Sequence, residues 1–237
     1  MTVKRSRSCS LVRTFFYAAA TLLGLCFVTS GCKTSKQPES AASSNPLSSA
    51  KSSETIVVLR HGEKAEGGLG QLNCKGLNRA LALPQVLIGR FGRAHAIFSP
   101  SPAYQMKESA LSGKAYYSYV RPLATIEPTA IQLGLPVDTQ LPFKDIAGLQ
   151  DAVTAPAYAN STVFIAWEHK YAYDFARQML RAYGLDPSQV PAWPSDDFET
   201  MYVFHIIRTG DTGAPAMTFG VQQEGLEGSL SSTCPSR

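Results

Sequence analysis

The residues best suited to chemistry are Arg60 and His61, which directly follow an apolar run of β-branched and aliphatic residues at positions 55–59. Such a run is typical of a strand buried on both faces. In open α/β sheets, ligands bind at the carboxyl edge, where these two side chains would lie. Gly62 permits a sharp turn that leaves His61 exposed. A neutral imidazole is a nucleophile and a guanidinium is a planar anion clamp, so this segment suggests phosphate chemistry.

Two later segments carry the same kinds of side chain. Arg121 opens the segment Arg-Pro-Leu-Ala-Thr-Ile-Glu-Pro-Thr-Ala, and His169 follows an apolar run at 162–167. Ser99 and Pro100 stand at the end of another apolar run, at 94–99. The sequence therefore offers two Arg and two His side chains, three of them just after a predicted buried strand and the fourth just before a predicted helix.

This order of elements resembles the histidine phosphatase superfamily, which includes phosphoglycerate mutase-like and acid phosphatase-like proteins. The features that carry the resemblance are strand–Arg-His-Gly, strand–Ser-Pro, Arg with a Thr-Ala helix, and strand–His, spread over about residues 54–210. In addition, Leu72-Asn73-x-x-Gly76-x-x-x-Ala80 is similar to the family's Leu-Thr-x-x-Gly-x-x-x-Ala.

The resemblance implies a three-layer α/β sandwich with a mostly parallel central sheet flanked by helices. It also implies a phosphomonoester hydrolase that needs no cofactor and acts on a small phosphorylated substrate. His61 would form a phosphohistidine, while Arg60, Arg121 and a protonated His169 hold the phosphate. The sequence has no Cys-x-x-Cys and no His-x-x-x-His, so we expect no metal site.

The proton donor for the leaving oxygen is not assigned by a motif. Many family members take this proton from an acidic residue after the Ser-Pro strand, or from an Asp directly after the second His. Here Lys170 follows His169. Glu108 is the candidate by its region, a long polar and aromatic insertion up to residue 120 that we expect at the pocket rim. Three alternatives lie elsewhere: Glu63, Glu168 and Asp145.

A second class of function uses the same pocket. A non-catalytic anion-binding lipoprotein would hold a phosphorylated or sulfated ligand with the two arginines. The presence of both histidines favours an enzyme, because a binding protein needs no nucleophile. A mutase fits less well, because such metabolism is cytosolic and the amino terminus indicates export.

The first 31 residues have the layout of a secretory signal peptide. Four basic residues precede an apolar run at 15–28, and Thr29-Ser30-Gly31-Cys32 resembles a bacterial lipobox. We therefore expect Cys32 to carry lipid and to anchor the protein to a bacterial membrane facing the periplasm, the outer membrane in particular. Cleavage by ordinary signal peptidase and an uncleaved anchor are the alternatives.

The composition after the signal divides the chain into a tether and a domain. Residues 32–53 are Ser-rich and contain almost no large apolar side chains, which predicts a flexible tether. Residues 54–237 form the predicted catalytic domain. Without the signal's four basic residues the chain has 18 Lys+Arg against 18 Asp+Glu, so its basic pI does not indicate a nucleic-acid partner. No pattern indicates an oligomeric state.

Five cysteines reduce to two when Cys9, Cys26 and Cys32 are assigned to the signal and the lipid. The remaining pair, Cys74 and Cys234, is an even number in an oxidising compartment, which favours a disulfide. Two free thiols are the alternative.

The remaining elements follow from hydrophobic periodicity and capping residues. Asn73 is a predicted N-cap, and Pro128 is expected in the first turn of its helix. His205 is expected in the core of its strand. The predicted helices are 76–89, 125–133, 145–153 and 171–183, and two further strands are predicted at 201–207 and 216–223.

Overall fold

The computed structural model describes residues 51–110, 113–209 and 214–236. The strands are β1 (Lys51–Arg60), β2 (Lys64–Ala65), β3 (Gly68–Leu72), β4 (Ala96–Phe98), β5 (Gln105–Ala110), β6 (Gly113–Ser118), β7 (Thr162–Trp167), β8 (Thr200–Thr209) and β9 (Ala216–Gln223). The helices are α1 (Cys74–Phe91), α2 (Arg121–Leu133), α3 (Ile146–Val153) and α4 (His169–Ala182). The predicted signal peptide, Cys32 and most of the predicted tether lie outside the described residues.

The main sheet has the strand order β4-β7-β1-β8-β9. The pairings of β1 with β7 and of β7 with β4 are parallel, whereas β8 runs antiparallel to both β1 and β9. Four of these five strands therefore point in the same direction. The predicted mostly parallel sheet is confirmed.

Helices cover both faces of this sheet, because successive side chains of a strand point to opposite sides. Ile56 and Val58 pack in a cluster with apolar residues of α3 and α4. Val57 and Leu59 pack on the other side with residues of α1 and α2. All four side chains are fully buried. The molecule is thus the three-layer α/β sandwich that the sequence predicts.

The parallel pairing of β1 with β7 decides where the chemistry can occur. In this register Arg60 lies beside Trp167, and the His61 amide donates to the Trp167 carbonyl over 3.1 Å. The residues that follow the two strands therefore leave the sheet at the same edge. This places His61 close to Glu168 and His169.

Several element boundaries differ from the predictions. Strand β1 begins at Lys51, so residues 51–53 belong to the sheet and not to the tether. Helix α2 begins at Arg121, which puts Pro128 in the helix interior. Helix α4 begins at His169, two residues earlier than predicted.

His205 is exposed, so the expectation that it lies in the core is wrong. It continues the face of β8 that carries Met201 and Val203, but α1 and α2 do not extend over this end of the strand. Its Nδ1 is 3.0 Å from the Thr55 hydroxyl oxygen on the neighbouring strand.

Two small hairpins lie near the edge of the sheet at which the chain leaves β1 and β7. Strands β2 and β3 form one, and β5 and β6 form the other, which accounts for most of the predicted insertion. Gly68 and Gly70 both have positive φ, and a Cβ at either would collide with Glu108 or with the Ser118 carbonyl. These two glycines let the hairpins lie in contact.

A disulfide joins Cys74 to Cys234, with the Cα atoms 4.5 Å apart. This confirms the disulfide predicted from the number of cysteines. The bond fixes the carboxyl-terminal segment to the first turn of α1. Among the helices that the structure describes, none has both the length and the apolar character needed to cross a membrane.

Candidate active site

Arg60 is the last residue of β1, and its side chain is 2% exposed. One terminal nitrogen donates to the Asp197 carbonyl over 2.7 Å and to the Pro194 carbonyl over 3.3 Å. The guanidinium also lies 4.0 Å from the centre of the Phe198 ring, a cation–π distance. These contacts fix the direction of the guanidinium without using a carboxylate, which leaves its charge available to an anion.

His61 is also 2% exposed, so the expectation that the turn at Gly62 leaves it exposed is wrong. Its Nδ1 is 2.7 Å from the Gly62 carbonyl oxygen, which can only accept, so Nδ1 carries the hydrogen and Nε2 keeps its lone pair. Burial lowers the pKa of His61 well below its ordinary value, and the positive charges of Arg121, Arg60 and His169 lower it further. The structure therefore supplies a neutral imidazole with a free nitrogen, the form that acts as a nucleophile.

Arg121 begins α2 and is 2% exposed. One terminal nitrogen donates to Glu108 over 2.6 Å and to the Gly68 carbonyl over 3.2 Å, and the other lies 3.4 Å from the Met106 sulfur. One turn further along, the Thr125 hydroxyl accepts from the Gly62 amide over 2.9 Å. Helix α2 thus orients both the guanidinium and the turn that holds His61.

His169 is the first residue of α4, after the N-cap residue Glu168. The Glu168 carboxylate accepts from the amides of Lys170 and Tyr171 and lies 2.7 Å from His169 Nδ1. This distance suits an ion pair, although the angle does not suit a hydrogen bond. Burial raises the pKa of Glu168, but the contact with His169 outweighs it and the pKa is lowered overall. Glu168 therefore stays ionised, with its carboxylate against the His169 ring.

Tyr119 is fully buried beside these residues. Its ring meets the His61 ring edge to face at 5.9 Å, and the Arg121 guanidinium lies 4.9 Å from its centre. Burial raises the pKa of the phenol, so it stays protonated over the physiological range. Its hydroxyl has no hydrogen-bond partner among the described residues.

The four predicted residues are brought together, and several of their donors are unsatisfied. Buried polar atoms without a described partner include Nε of Arg60, Nε of Arg121 and the Tyr119 hydroxyl. Buried polar groups nearly always have a partner, so such a set around one histidine marks a place where a ligand supplies acceptors. Cavity size alone does not locate this site. A cavity of about 450 Å³ at the β4 edge, lined by Ile97 and Tyr158 among others, contains none of the four residues.

The candidate proton donors are placed differently from one another. Glu108 is 9% exposed and touches Arg121, so it lies within the site. Asp145 is the N-cap of α3 and accepts from the Gly148 amide over 2.9 Å. Glu63 is bound to Arg79, and Glu168 is used by α4 and His169. Glu108 remains the candidate whose carboxyl contacts Arg121, one of the predicted phosphate-binding residues, and does not cap a helix.

Sequence reasoning missed two contributors. The loop from Pro194 to Phe198 carries none of the patterns described above, yet its carbonyl groups and its aromatic ring hold Arg60. Tyr119 was one of several tyrosines in the insertion, and nothing in the pattern distinguished it. Its position two residues before Arg121, at the start of α2, was the available signal.

No protein-family model and no curated protein matches the chain. Similar solved structures include a protein from Nakamurella multipartitia whose provisional name is phosphohistidine phosphatase SixA, with 17% identity and a TM-score of 0.48, covering 72% of this chain and 96% of that one. Another is a mycobacterial glucosyl-3-phosphoglycerate phosphatase in complex with inorganic phosphate, with 13% identity and a TM-score of 0.47, covering 72% and 97%. A third is a phosphoserine phosphatase mutant from Entamoeba histolytica in complex with phosphoserine, with 14% identity and a TM-score of 0.44, covering 74% and 99%. Because these values are low, we infer the function from the side chains of the site and not from these similarities.

Proposed function

We propose that this protein is a phosphomonoester hydrolase that acts through a phosphohistidine on His61. The observation that carries the proposal is the neutral, buried imidazole with a free Nε2, surrounded by unsatisfied cationic and phenolic donors. A binding protein would need the donors but not the nucleophile. The similar solved structures that are named as phosphatases agree with the proposal but do not carry it.

The reaction follows from the positions of these groups. Arg60, Arg121 and His169 bind the non-bridging oxygens of the phosphoryl group, and the Tyr119 hydroxyl donates a further hydrogen bond. Nε2 of His61 attacks phosphorus as the bond from phosphorus to the alcohol oxygen breaks. The leaving oxygen takes a proton from Glu108. Water then attacks the phosphohistidine and gives a proton to the Glu108 carboxylate, the P–N bond breaks, and inorganic phosphate is released.

Phosphatase activity is tested with the purified protein and 4-nitrophenyl phosphate, without added metal, from pH 4 to pH 8. We expect turnover, with competitive inhibition by phosphate, vanadate or tungstate. At a hundredfold excess over its dissociation constant, such an anion should stabilise the fold by about 2.7 kcal/mol. Arg121→Ala should remove most of this stabilisation, whereas Arg181→Ala, an exposed control at the end of α4, should not.

The result separates this proposal from the anion-binding alternative. Anion-induced stabilisation without turnover of any phosphomonoester would identify the protein as a binder. Anions that neither stabilise nor inhibit would show that the four residues do not form one site, and both functions would then be excluded.

The cellular location is part of the proposal. The lipobox-like segment ending in Cys32 supports export and lipid anchoring to a periplasm-facing bacterial membrane, and the Cys74–Cys234 disulfide fits an oxidising compartment. Cys32→Ser should block lipid attachment and release the protein from the membrane fraction. Recovery of a soluble, unlipidated wild-type chain that begins after Cys32 would overturn the anchor.

A further inference from the structure

A second cavity, of about 450 Å³, opens beside the active site between the β5–β6 hairpin and the start of α4. Two of its lining residues touch the phosphate-binding groups. The Met106 sulfur is 3.4 Å from an Arg121 nitrogen, and the Glu168 carboxylate is 2.7 Å from His169. A phosphoryl group bound next to His61 would therefore have this cavity within reach of its alcohol portion.

The cavity carries an excess of positive charge. Lys107, Lys144 and Lys170 line it from three separate segments of the chain, and Glu168 is its only acidic lining residue. Glu168 is already engaged by His169 and by two amides of α4. None of the three lysines forms an ion pair within the described part of the chain. Such a cluster of like charges around a concave surface attracts an anion.

The walls of the cavity are aromatic as well as basic. Tyr116, Phe143 and Tyr171 contribute to it, and Tyr116 is 61% exposed. Lys107 and Lys144 lie over rings of this wall, with Nζ at 5.8 Å from the centre of Tyr116 and at 5.6 Å from that of Phe143. Flat apolar surfaces with a few charged groups are typical of sites that bind a ring-containing ligand and orient it by its charge.

We infer that this cavity holds the alcohol portion of the substrate, and that the preferred substrates are phosphomonoesters of a flat, ring-containing alcohol that carries a further negative charge. This inference rests on the proposed function, because it takes the phosphoryl group to lie beside His61. The lysines supply attraction for the second charge, and the aromatic side chains supply the surface on which the ring packs.

A matched pair of substrates tests the inference. Phenyl phosphate and 4-carboxyphenyl phosphate differ by one carboxylate. The quantity measured is kcat/KM for 4-carboxyphenyl phosphate divided by kcat/KM for phenyl phosphate. This ratio is compared between the wild type and a Lys107→Gln, Lys144→Gln, Lys170→Gln triple variant. Comparing the ratio between proteins cancels the intrinsic reactivity of the two esters. We expect the ratio to fall by about tenfold in the triple variant, since each exposed charge contact contributes only modestly. Raising the ionic strength should lower the wild-type ratio in the same direction.

The control is Lys114→Gln, which removes an exposed lysine of the same hairpin that does not line the cavity. It should leave the ratio unchanged. If phenyl phosphate is hydrolysed and the triple variant keeps the wild-type ratio, the substrate class is wrong and the phosphatase proposal stands. If neither ester nor 4-nitrophenyl phosphate is hydrolysed, the proposed function fails, and the inference is judged by the dissociation constants of the two esters. Equal affinity of the wild type for both would overturn it.

Discussion

At the scale of single residues, the site depends on where positive charge is placed relative to His61. A nucleophilic imidazole must be neutral, and a phosphate site must be cationic. Both conditions are met because burial and three neighbouring cations lower the pKa of His61, while Nδ1 remains tied to the Gly62 carbonyl. In the proposed mechanism, the charges that bind the substrate therefore also keep the nucleophile deprotonated.

Replacing His61 by alanine should remove turnover while leaving the anion site. We expect kcat to fall by at least about a thousandfold, because the covalent step is lost. Tungstate should still stabilise the variant, since Arg60, Arg121 and His169 remain. The measurements are turnover of 4-nitrophenyl phosphate and the shift of the unfolding midpoint. His95→Ala, an exposed histidine outside the site, is the control, and an active His61→Ala protein would disprove the mechanism.

The Tyr119 hydroxyl offers a more selective change. Tyr119→Phe removes only an oxygen that has no described partner, so we expect the stability of the free protein to stay the same or to rise. The loss of a hydrogen bond to a charged phosphoryl group should lower kcat/KM by about tenfold to a hundredfold.

The matched control for this change is Tyr202→Phe, which removes a hydroxyl that donates to the Pro191 carbonyl over 2.7 Å. It should lower stability and leave kcat/KM nearly unchanged. If Tyr119→Phe shows that same pattern, Tyr119 has only a structural role.

At the scale of elements, prediction succeeded where the hydrophobic pattern alone decides the structure. Residues 55–59 and 162–167 are buried on both faces, and a continuous apolar run in a short segment has few other solutions. The capping residue Asn73 was equally informative, since it accepts a hydrogen bond from the Gly76 amide of its helix. The positions of Arg60, His61 and His169 could therefore be inferred from the sequence.

The parts that could not be predicted depend on contacts distant in sequence. The β5–β6 hairpin is polar and aromatic, and its placement depends on two glycines of β3 that allow close approach. The contact between Arg60 and the loop at Pro194 joins residues 134 positions apart. No local pattern encodes such a pairing. The start of α2 at Arg121 was missed because Pro128 was expected in the first turn of its helix, whereas it lies in the helix interior.

The hairpin's contribution can be tested through Glu108, which it places on Arg121 over 2.6 Å. If Glu108 is the proton donor, Glu108→Gln should lower turnover of alkyl phosphates by about 10²- to 10⁴-fold. Turnover of 4-nitrophenyl phosphate, whose leaving group needs no proton, should change much less. Glu66→Gln, an exposed acid of the adjacent hairpin, is the control. Equal losses on both substrates would show that Glu108 does not donate the proton.

At the scale of the whole molecule, a second charged cluster lies away from the nucleophile. Fully buried Arg79 is bound by four carboxylates that come from distant parts of the chain, and Lys75 contacts two of these. They are Glu63, Glu199, Glu224 and Glu227. Because Glu63 follows directly after Gly62, this cluster connects the catalytic turn to the end of β9 and to the carboxyl-terminal segment.

The cluster has fewer cations than carboxylates, and one carboxyl keeps its proton. Burial raises the pKa of Glu224 to about 8, and the charges of Glu199 and Glu63 add to this effect, against the attraction of Arg79. In the unfolded chain Glu224 ionises near its ordinary value of 4.5. Between these two values the folded protein holds one proton more than the unfolded chain, so this group destabilises the fold as pH rises towards 8.

Glu224→Gln, which cannot ionise, should therefore remove a pH dependence of up to about 1.4 kcal/mol per pH unit. The clearest window is pH 6.5 to 8. Below pH 6.5, the ordinary pKa of a histidine, the lowered pKa of His61 makes stability rise with pH and so opposes the effect of Glu224. Above pH 6.5 this opposing effect is absent. Free energies of unfolding, measured in denaturant across this window, should fall with pH in the wild type and fall less in the variant. Glu127→Gln, an exposed carboxyl on α2, should follow the wild type. Parallel curves for the wild type and Glu224→Gln would mean that Glu224 is already ionised at neutral pH, so that Arg79 and Lys75 alone would offset all four carboxylates of the cluster.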